Sequence, residues 1–282
     1  MRDVPSDVLA GLAAGEIETV NLMEWLATDM SALARSIAAT SSCGTSLRMA
    51  LLQAASEIVG AGVTQRLRIL GAAIAASAPP TSPEFGFLAE HKSDLVRQWA
   101  CYAVNDSSLS LSHSERLDAT LPFAADRNMS VRETAWMAFR PHLAAQFDSL
   151  LPLLVELAGN PNENIRRFAV EVTRPRSVWG AHLPVLKREP SRGLRLLEQV
   201  KADSSRYVKL AVGNWLNDAS KSCPEWVVSV SQQWAASGDH HTHFIVRRGL
   251  RSISKQRTDG GSPTMAEPAN DTASAEWIER AS

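Results

Sequence analysis

Apolar residues recur along this chain at intervals of three and four, which is the spacing of amphipathic helices. The row in residues 17–38 consists of Leu22, Leu26, Met30, Leu33 and Ile37. Similar rows predict helices over residues 47–58 and 67–76. No segment alternates apolar and polar residues between hairpin turns, as strands do. The pattern therefore predicts an all-α protein.

Five helical segments begin with an apolar residue followed by a basic one. The intervals between successive pairs are 35, 34, 43 and 38 residues, and the pairs are Val96-Arg97, Val131-Arg132, Ile165-Arg166, Val208-Lys209 and Val246-Arg247. Other apolar helices lie between the pairs. Two helices in a unit of about 40 residues is the period of HEAT-like repeats. We therefore predict a HEAT-like α-solenoid of stacked antiparallel helix pairs with a concave basic face.

Capping residues help to place the helix starts. Asn164 is the predicted N-cap of a helix that Pro175 ends, because proline has no backbone N–H and crowds the preceding turn. Ser130 and Glu133 have the spacing of a capping box.

Composition predicts three regions along the chain. Prolines at positions 79, 80 and 83 indicate a boundary after a helical region of residues 1–83, which is expected to pack on the solenoid. The repeats occupy residues 84–257. Residues 258–282 are rich in Gly, Ser, Pro, Thr and acidic side chains, and a disordered tail is expected there.

The net charge of −1 hides an uneven distribution of charge. Residues 93–257 carry a net charge of +6, and the remainder carries −7. Stacked repeats would align the basic residues Arg97, Arg132, Arg166, Lys209 and Arg247 as a ladder on one wall. Such a ladder suits the phosphates of a nucleic acid. The alternative is that these arginines cover a solvated face of the protein.

Several classes of protein are not favoured by the sequence. There is no apolar run long enough to span a bilayer and no secretion signal, so a cytoplasmic protein is expected. The three cysteines are widely spaced and indicate neither disulfides nor a zinc site. The histidines of Asp239–His243 lack the spacing of known metal sites. No metal and no cofactor are predicted.

Several short motifs are spread over most of the chain. The most specific is Thr-Arg-Pro-Arg with a tryptophan, followed some 40 residues later by Leu-Asn-Asp. The segments are Ser93–Ala100, Phe139–Pro141, Ile165–Ala169, Thr173–Arg176 with Trp179, Tyr207–Lys209, Leu216–Asp218 and Leu250–Ser252. In kind and in order they resemble the motifs of the AlkC branch of the AlkD-like DNA alkylation repair glycosylases.

The resemblance implies a HEAT-like protein that wraps double-stranded DNA, alkylated or structured, and associates with the bacterial nucleoid when bound. It implies hydrolysis of the N-glycosidic bond of 3-methyladenine and related cationic purines, without a metal or cofactor and largely without a deep base-flipping pocket. Such purines are already good leaving groups. The enzyme then chiefly stabilises positive charge on the sugar and positions a water. We expect a monomer that does not bind membranes.

The resemblance also implies roles for individual residues. Asp218 and Glu171 match acidic positions of the family and are candidate catalytic residues. The family's other catalytic glutamate lies in the pattern Ala-Glu-Phe-Ala-Ile-Arg-Pro, where Trp136 stands in this chain. Glu133, one helical turn earlier, is a candidate replacement, with helix capping as the alternative. Weak or lost activity is therefore expected.

The remaining candidates are tryptophans that would contact the lesion and cations that would contact phosphates. The tryptophans are Trp136, Trp179 and Trp215, with packing in the core as the alternative. The cations are Arg97, Arg132, Arg140, Arg166, Arg167, Arg174, Arg176, Lys209, Arg247, Arg248 and Arg251. Two other functions remain open: a DNA-binding module without catalysis and a scaffold for protein interactions.

Overall fold

The computed structural model describes residues 4–258, which form α-helices, one 3₁₀ helix and no strand. These residues fall into two compact units, one ending at Ala138 and the other beginning at Phe139. No helix in the described part of the chain is long and apolar enough to cross a membrane. Residues 259–282, most of the predicted tail, lie outside the described residues. The predicted division after residue 83 stays a prediction.

The first unit is built around the buried helix α7. Every residue of α7 is buried, which is expected for a helix that other helices surround. Helices α5 and α6 pack against it, and α3 and α4 continue the stack. The helices are α1 Ser6–Ala14, α2 Leu22–Ala27, α3 Met30–Ala38, α4 Thr45–Glu57, α5 Val63–Ser77, α6 Pro83–Ala89, α7 Asp94–Val104, α8 His113–Ala124 and α9 Met129–Ala145, the last of which continues past Ala138.

The second unit has the long helix α14 at its centre. All but two residues of α14 are buried, and α11 and α16 pack on either side of it. Its side chains Trp215 and Leu216 are fully buried in the core. The helices are α10 Phe147–Leu157, α11 Glu163–Val172, α12 Pro184–Arg188, the 3₁₀ helix Pro190–Gly193, α13 Leu194–Val200, α14 Arg206–Ser220, α15 Pro224–Ala235, α16 His240–Gly249 and α17 Arg251–Thr258. The predicted all-α, HEAT-like fold is confirmed.

Both capping predictions were wrong. The N-cap of α11 is Asn162, whose side chain accepts the N–H of Asn164, so the helix begins two residues earlier than predicted. Ser130 and Glu133 form no capping box. The hydroxyl of Ser130 instead donates to Asp94 Oδ2, and Asn128 Oδ1 accepts the N–H of Ser130. In both places an asparagine just upstream competes successfully for the capping role.

Four of the five predicted apolar–basic pairs lie at helix starts. Arg97, Arg132, Arg166 and Lys209 are each the fourth residue of a helix, in α7, α9, α11 and α14. The fifth prediction was wrong, because Arg247 lies in the last turn of α16. Apolar residues recur every turn within a helix, so their spacing alone did not determine where that helix begins.

Candidate functional site

A buried arginine fixes the loop that follows α11. Arg140 is 2% exposed. Its Nε donates to the carbonyl of Ala181 at 2.7 Å, Nη1 to Val172 at 2.8 Å and Nη2 to Arg174 at 2.6 Å. Burial, with a smaller effect of Arg174, lowers the pKa of Arg140 to about 10. Arg140, a predicted phosphate ligand, therefore donates its hydrogen bonds to three carbonyl groups of this loop.

Two further hydrogen bonds hold the same segment. Trp215 Nε1 donates to the carbonyl of Thr173 at 3.0 Å. The N–H of Leu183 donates to the carbonyl of Pro175 at 3.1 Å, which brings the two ends of the loop together. Trp215 is fully buried, so the alternative of core packing describes its position. The Thr173–Arg176 motif thus has a fixed backbone.

Arg174 joins the two candidate carboxylates. Its Nη1 lies 3.1 Å from Glu171 Oε2, and its Nε lies 2.8 Å from Asp218 Oδ2. Glu171 lies in the last turn of α11 and is 2% exposed, and Asp218 lies in the last turn of α14 and is 4% exposed. The structure therefore brings Glu171, Arg174 and Asp218 together, although Glu171 and Asp218 are more than 40 positions apart in the sequence.

A second arginine also neutralises Glu171. Arg167 Nη1 lies 3.1 Å from Glu171 Oε1, and the Arg167 guanidinium lies 3.9 Å from the centre of the Tyr207 ring. Burial raises the pKa of Glu171, but Arg167, Arg174 and Arg140 together outweigh it, so the pKa is lowered. For Arg174, burial lowers the pKa, and the two carboxylates more than reverse this effect. Glu171 and Arg174 are therefore both ionised.

Only one oxygen of the Asp218 carboxylate accepts a hydrogen bond from the described residues. Arg174 donates to Oδ2, and Arg176 Nε donates to the backbone carbonyl of Asp218 at 3.3 Å. Among the described residues no other group donates to the carboxylate, so Oδ1 can accept a hydrogen bond from a water. The Asp218 carboxylate can therefore hold a water at Oδ1 while Arg174 binds its Oδ2.

Trp136 stands where the resemblance implies a glutamate, and its indole is bound by Glu133. Trp136 is 5% exposed, and its Nε1 donates to Glu133 Oε2 at 2.7 Å. Glu133 therefore fixes the orientation of the indole. Its catalytic role and the lesion contact of Trp136 stay predictions.

Three members of the predicted ladder bind the protein's own backbone. In Arg97, Arg132 and Arg166, Nη1 donates to the carbonyl groups six and five positions earlier at 2.7 to 3.0 Å. Each guanidinium thus closes the loop before its own helix. This role was not predicted from the sequence.

Two of these arginines also form ion pairs with an aspartate in the loop before a later helix. Arg97 binds Asp126 at 2.7 and 2.9 Å, and Arg166 binds Asp203 at 2.6 and 3.0 Å. Both aspartates lie six residues before the next basic residue of the ladder. That recurrence was a signal in the sequence that the ladder has a structural role.

The remaining predicted cations lie on α14, α16 and α17. Lys209 Nζ is 2.9 Å from His241 Nδ1 and 5.5 Å from the centre of the Phe244 ring, over which Arg247 also lies at 6.0 Å. Arg247 is exposed. Further along, Arg248 Nε donates to Asn214 Oδ1 at 3.0 Å, and Arg251 Nη1 donates to the carbonyl of Arg248 at 2.9 Å.

Comparisons with known proteins were made with the sequence and with the fold. No family model matches the sequence. Over 124 residues the chain is 38% identical to the uncharacterized protein YhaZ of Bacillus subtilis, which is 44% of this chain and 34% of that protein. The chain thus spans about a third of the curated relative it matches.

Solved structures share the fold. The alkylpurine DNA glycosylase AlkC of Pseudomonas fluorescens, bound to DNA containing an abasic site analogue, aligns with a TM-score of 0.64 and 24% identity over 89% of this chain and 63% of that one. AlkD2 of Streptococcus mutans aligns with a TM-score of 0.53 and 19% identity over 79% of this chain and 96% of that one. The resemblance seen in the motifs is thus confirmed at the level of the fold: this chain is a helical-repeat protein with the fold of AlkC and the AlkD-like proteins.

Proposed function

We propose that the protein binds alkylated duplex DNA and slowly excises 3-methyladenine and related cationic purines, with Asp218 as the catalytic carboxylate. The observation that carries this proposal is the position of Asp218. Its Oδ2 is fixed by Arg174, and its Oδ1 can accept a hydrogen bond from a water. The fold is that of a solved alkylpurine DNA glycosylase.

The chemistry requires little of the protein. The glycosidic bond of a cationic purine breaks readily, so the enzyme chiefly stabilises the developing charge on the sugar and positions the attacking water. The hydrogen bond from Arg174 fixes the orientation of the Asp218 carboxylate. Glu171 is surrounded by cations and is expected to orient Arg174 rather than to contact the substrate.

Slow excision follows from two features of the chain. Trp136 stands where the family has a glutamate, and an indole carries no negative charge. Arg174 also neutralises part of the charge of Asp218. Loss of one electrostatic group commonly lowers a rate by about 10²–10³, so we expect excision well below that of an enzyme with both carboxylates.

The test is an assay of alkali-sensitive sites in methylated duplex DNA. The wild type should produce abasic sites, which alkali converts to strand breaks, faster than DNA incubated alone. Asp218→Asn should abolish this excess while leaving DNA affinity within about twofold. Asp148→Asn is the matched control, because the Asp148 side chain is 81% exposed. Equal excision by Asp218→Asn and the wild type would remove Asp218 from the mechanism.

A DNA-binding module without catalysis is the second candidate. It is favoured by the net charge of +6 that residues 93–257 carry. This candidate predicts tight binding to duplex DNA with a steep dependence on salt and no excess of abasic sites. A protein scaffold would show neither property.

A further inference from the structure

The loop between α11 and α12 has a firmly held base and an apolar tip. Arg140 binds the carbonyl groups of Val172, Arg174 and Ala181. Within the loop, the N–H of Gly180 donates to Ser177 Oγ at 3.1 Å. Burying a guanidinium is costly unless its hydrogen bonds are satisfied. These hydrogen bonds therefore hold the loop in a defined conformation within the second unit.

Val178 lies at the tip of this loop and is 61% exposed. Its neighbour Trp179 is half-buried. Among the described residues of the second unit, no other large apolar side chain is this exposed. An apolar side chain on a rigid base is the form that proteins use for a wedge between stacked bases.

Two basic residues lie near Val178 along the chain. Arg176 lies two residues before it, and Lys187 lies beyond the loop in α12, with its Nζ 3.4 Å from Nδ1 of the loop residue His182. Partial burial, and then Lys187, Arg176 and Arg140, lower the pKa of His182, and Asp218 opposes them only in part. The neutral form of His182 is therefore favoured, and the positive charge near the loop comes from Arg176 and Lys187. An apolar tip between cations suits a nucleic acid, whose phosphates flank its stacked bases, better than an apolar protein surface.

We propose that Val178 is a wedge that enters the base stack of bound duplex DNA and separates adjacent bases beside the Asp218 carboxylate. This inference rests on the proposed binding of DNA and does not depend on catalysis. Arg140 acts as a positioning residue for the wedge, since it holds both ends of the loop. The cations Arg176 and Lys187 would bind the phosphates on either side of the separated step.

The test uses the full chain and a short duplex containing an abasic-site analogue, with 2-aminopurine next to the analogue. The fluorescence of 2-aminopurine rises when it leaves the stack. Binding of the wild type should raise it, and Val178→Ser should bind without the rise. The affinity of Val178→Ser should fall about tenfold, as expected for loss of one buried valine contact. The slope of affinity against salt should not change, because no phosphate contact is removed.

Two variants serve as controls. Val59→Ser removes a valine that is 74% exposed in the other unit, and it should bind and raise fluorescence as the wild type does. Val178→Ile keeps an apolar tip and should retain the rise. All variants should melt at the temperature of the wild type, since an exposed side chain contributes little to stability.

The outcomes separate this inference from the proposed function. Failure of the wild type to bind the duplex would overturn both. Binding by the wild type together with an equal fluorescence rise and equal affinity in Val178→Ser would overturn the wedge alone. The wedge would also be overturned if Val178→Ser and Val59→Ser both lost the fluorescence rise to the same extent. The loss would then not be specific to the loop that carries Val178.

Discussion

Arg174 donates from Nε to Asp218 Oδ2 at 2.8 Å while its Nη1 lies 3.1 Å from Glu171. One side chain thus fixes the ends of α11 and α14 relative to each other and holds both candidate carboxylates. All three groups are largely buried, so we expect the bridge to contribute to stability.

Arg174→Met should destabilise the protein by about 3–5 kcal/mol, because it leaves two buried carboxylates without this partner. Urea unfolding followed by circular dichroism measures the loss. Arg192→Met is the matched control, since Arg192 pairs with the exposed Asp148, and should cost less than about 1 kcal/mol. Equal losses in the two variants would show that the Arg174 bridge does not stabilise the fold.

Glu171 should make stability depend on pH. Its pKa is lowered in the folded protein, against about 4.3 for a free glutamate. The ionised group therefore stabilises the fold above pH 4.3 and loses this contribution as the pH falls through the folded pKa. The free energy of unfolding of Glu171→Gln should lie furthest below that of the wild type near neutral pH, and the gap should narrow in acid.

The control for this titration is Glu57→Gln, which changes an exposed carboxylate of α4. Its stability should run parallel to that of the wild type at every pH. A gap between Glu171→Gln and the wild type that stays constant with pH would contradict the assigned shift.

Arg140→Met should loosen the loop that carries Val178. Three carbonyl groups would lose a charged donor, and the fold should lose about 2–4 kcal/mol. Hydrogen exchange should quicken at the N–H of Leu183 and Gly180, whose bonds depend on the loop geometry. The exposed Arg188→Met should change neither quantity. Unchanged protection of both amides in Arg140→Met would mean that Arg140 does not hold the loop.

The basic ladder should divide into structural and DNA-binding members. Arg97→Gln and Arg166→Gln should lower stability, because each removes bonds to two carbonyl groups and an ion pair, with little effect on DNA affinity. Lys209→Gln and Arg247→Gln should keep stability and each reduce the salt slope of DNA binding by about 1. If instead the Arg97 and Arg166 variants lost DNA affinity and the Lys209 and Arg247 variants lost stability, this division of the ladder would be wrong.

The sequence predicted the helices well because an amphipathic period is a local property. It placed Arg247 at the start of a helix, whereas Arg247 lies in the last turn of α16, since apolar positions one turn apart look alike. The role of Arg140 in holding the loop after α11 could not be predicted, because its three acceptors are backbone carbonyl groups 32 to 41 positions away. The meeting of Glu171 and Asp218 was suggested only by family motifs, not by spacing.

The most direct test of the account is the release of free base from radiolabelled methylated duplex DNA, with each base identified by chromatography. The account predicts that excess wild-type protein releases 3-methyladenine faster than the spontaneous rate, while Asp218→Asn releases it at the spontaneous rate and still binds the duplex. Release at the spontaneous rate by the wild type, despite saturating binding, would contradict the proposed chemistry and leave a DNA-binding protein.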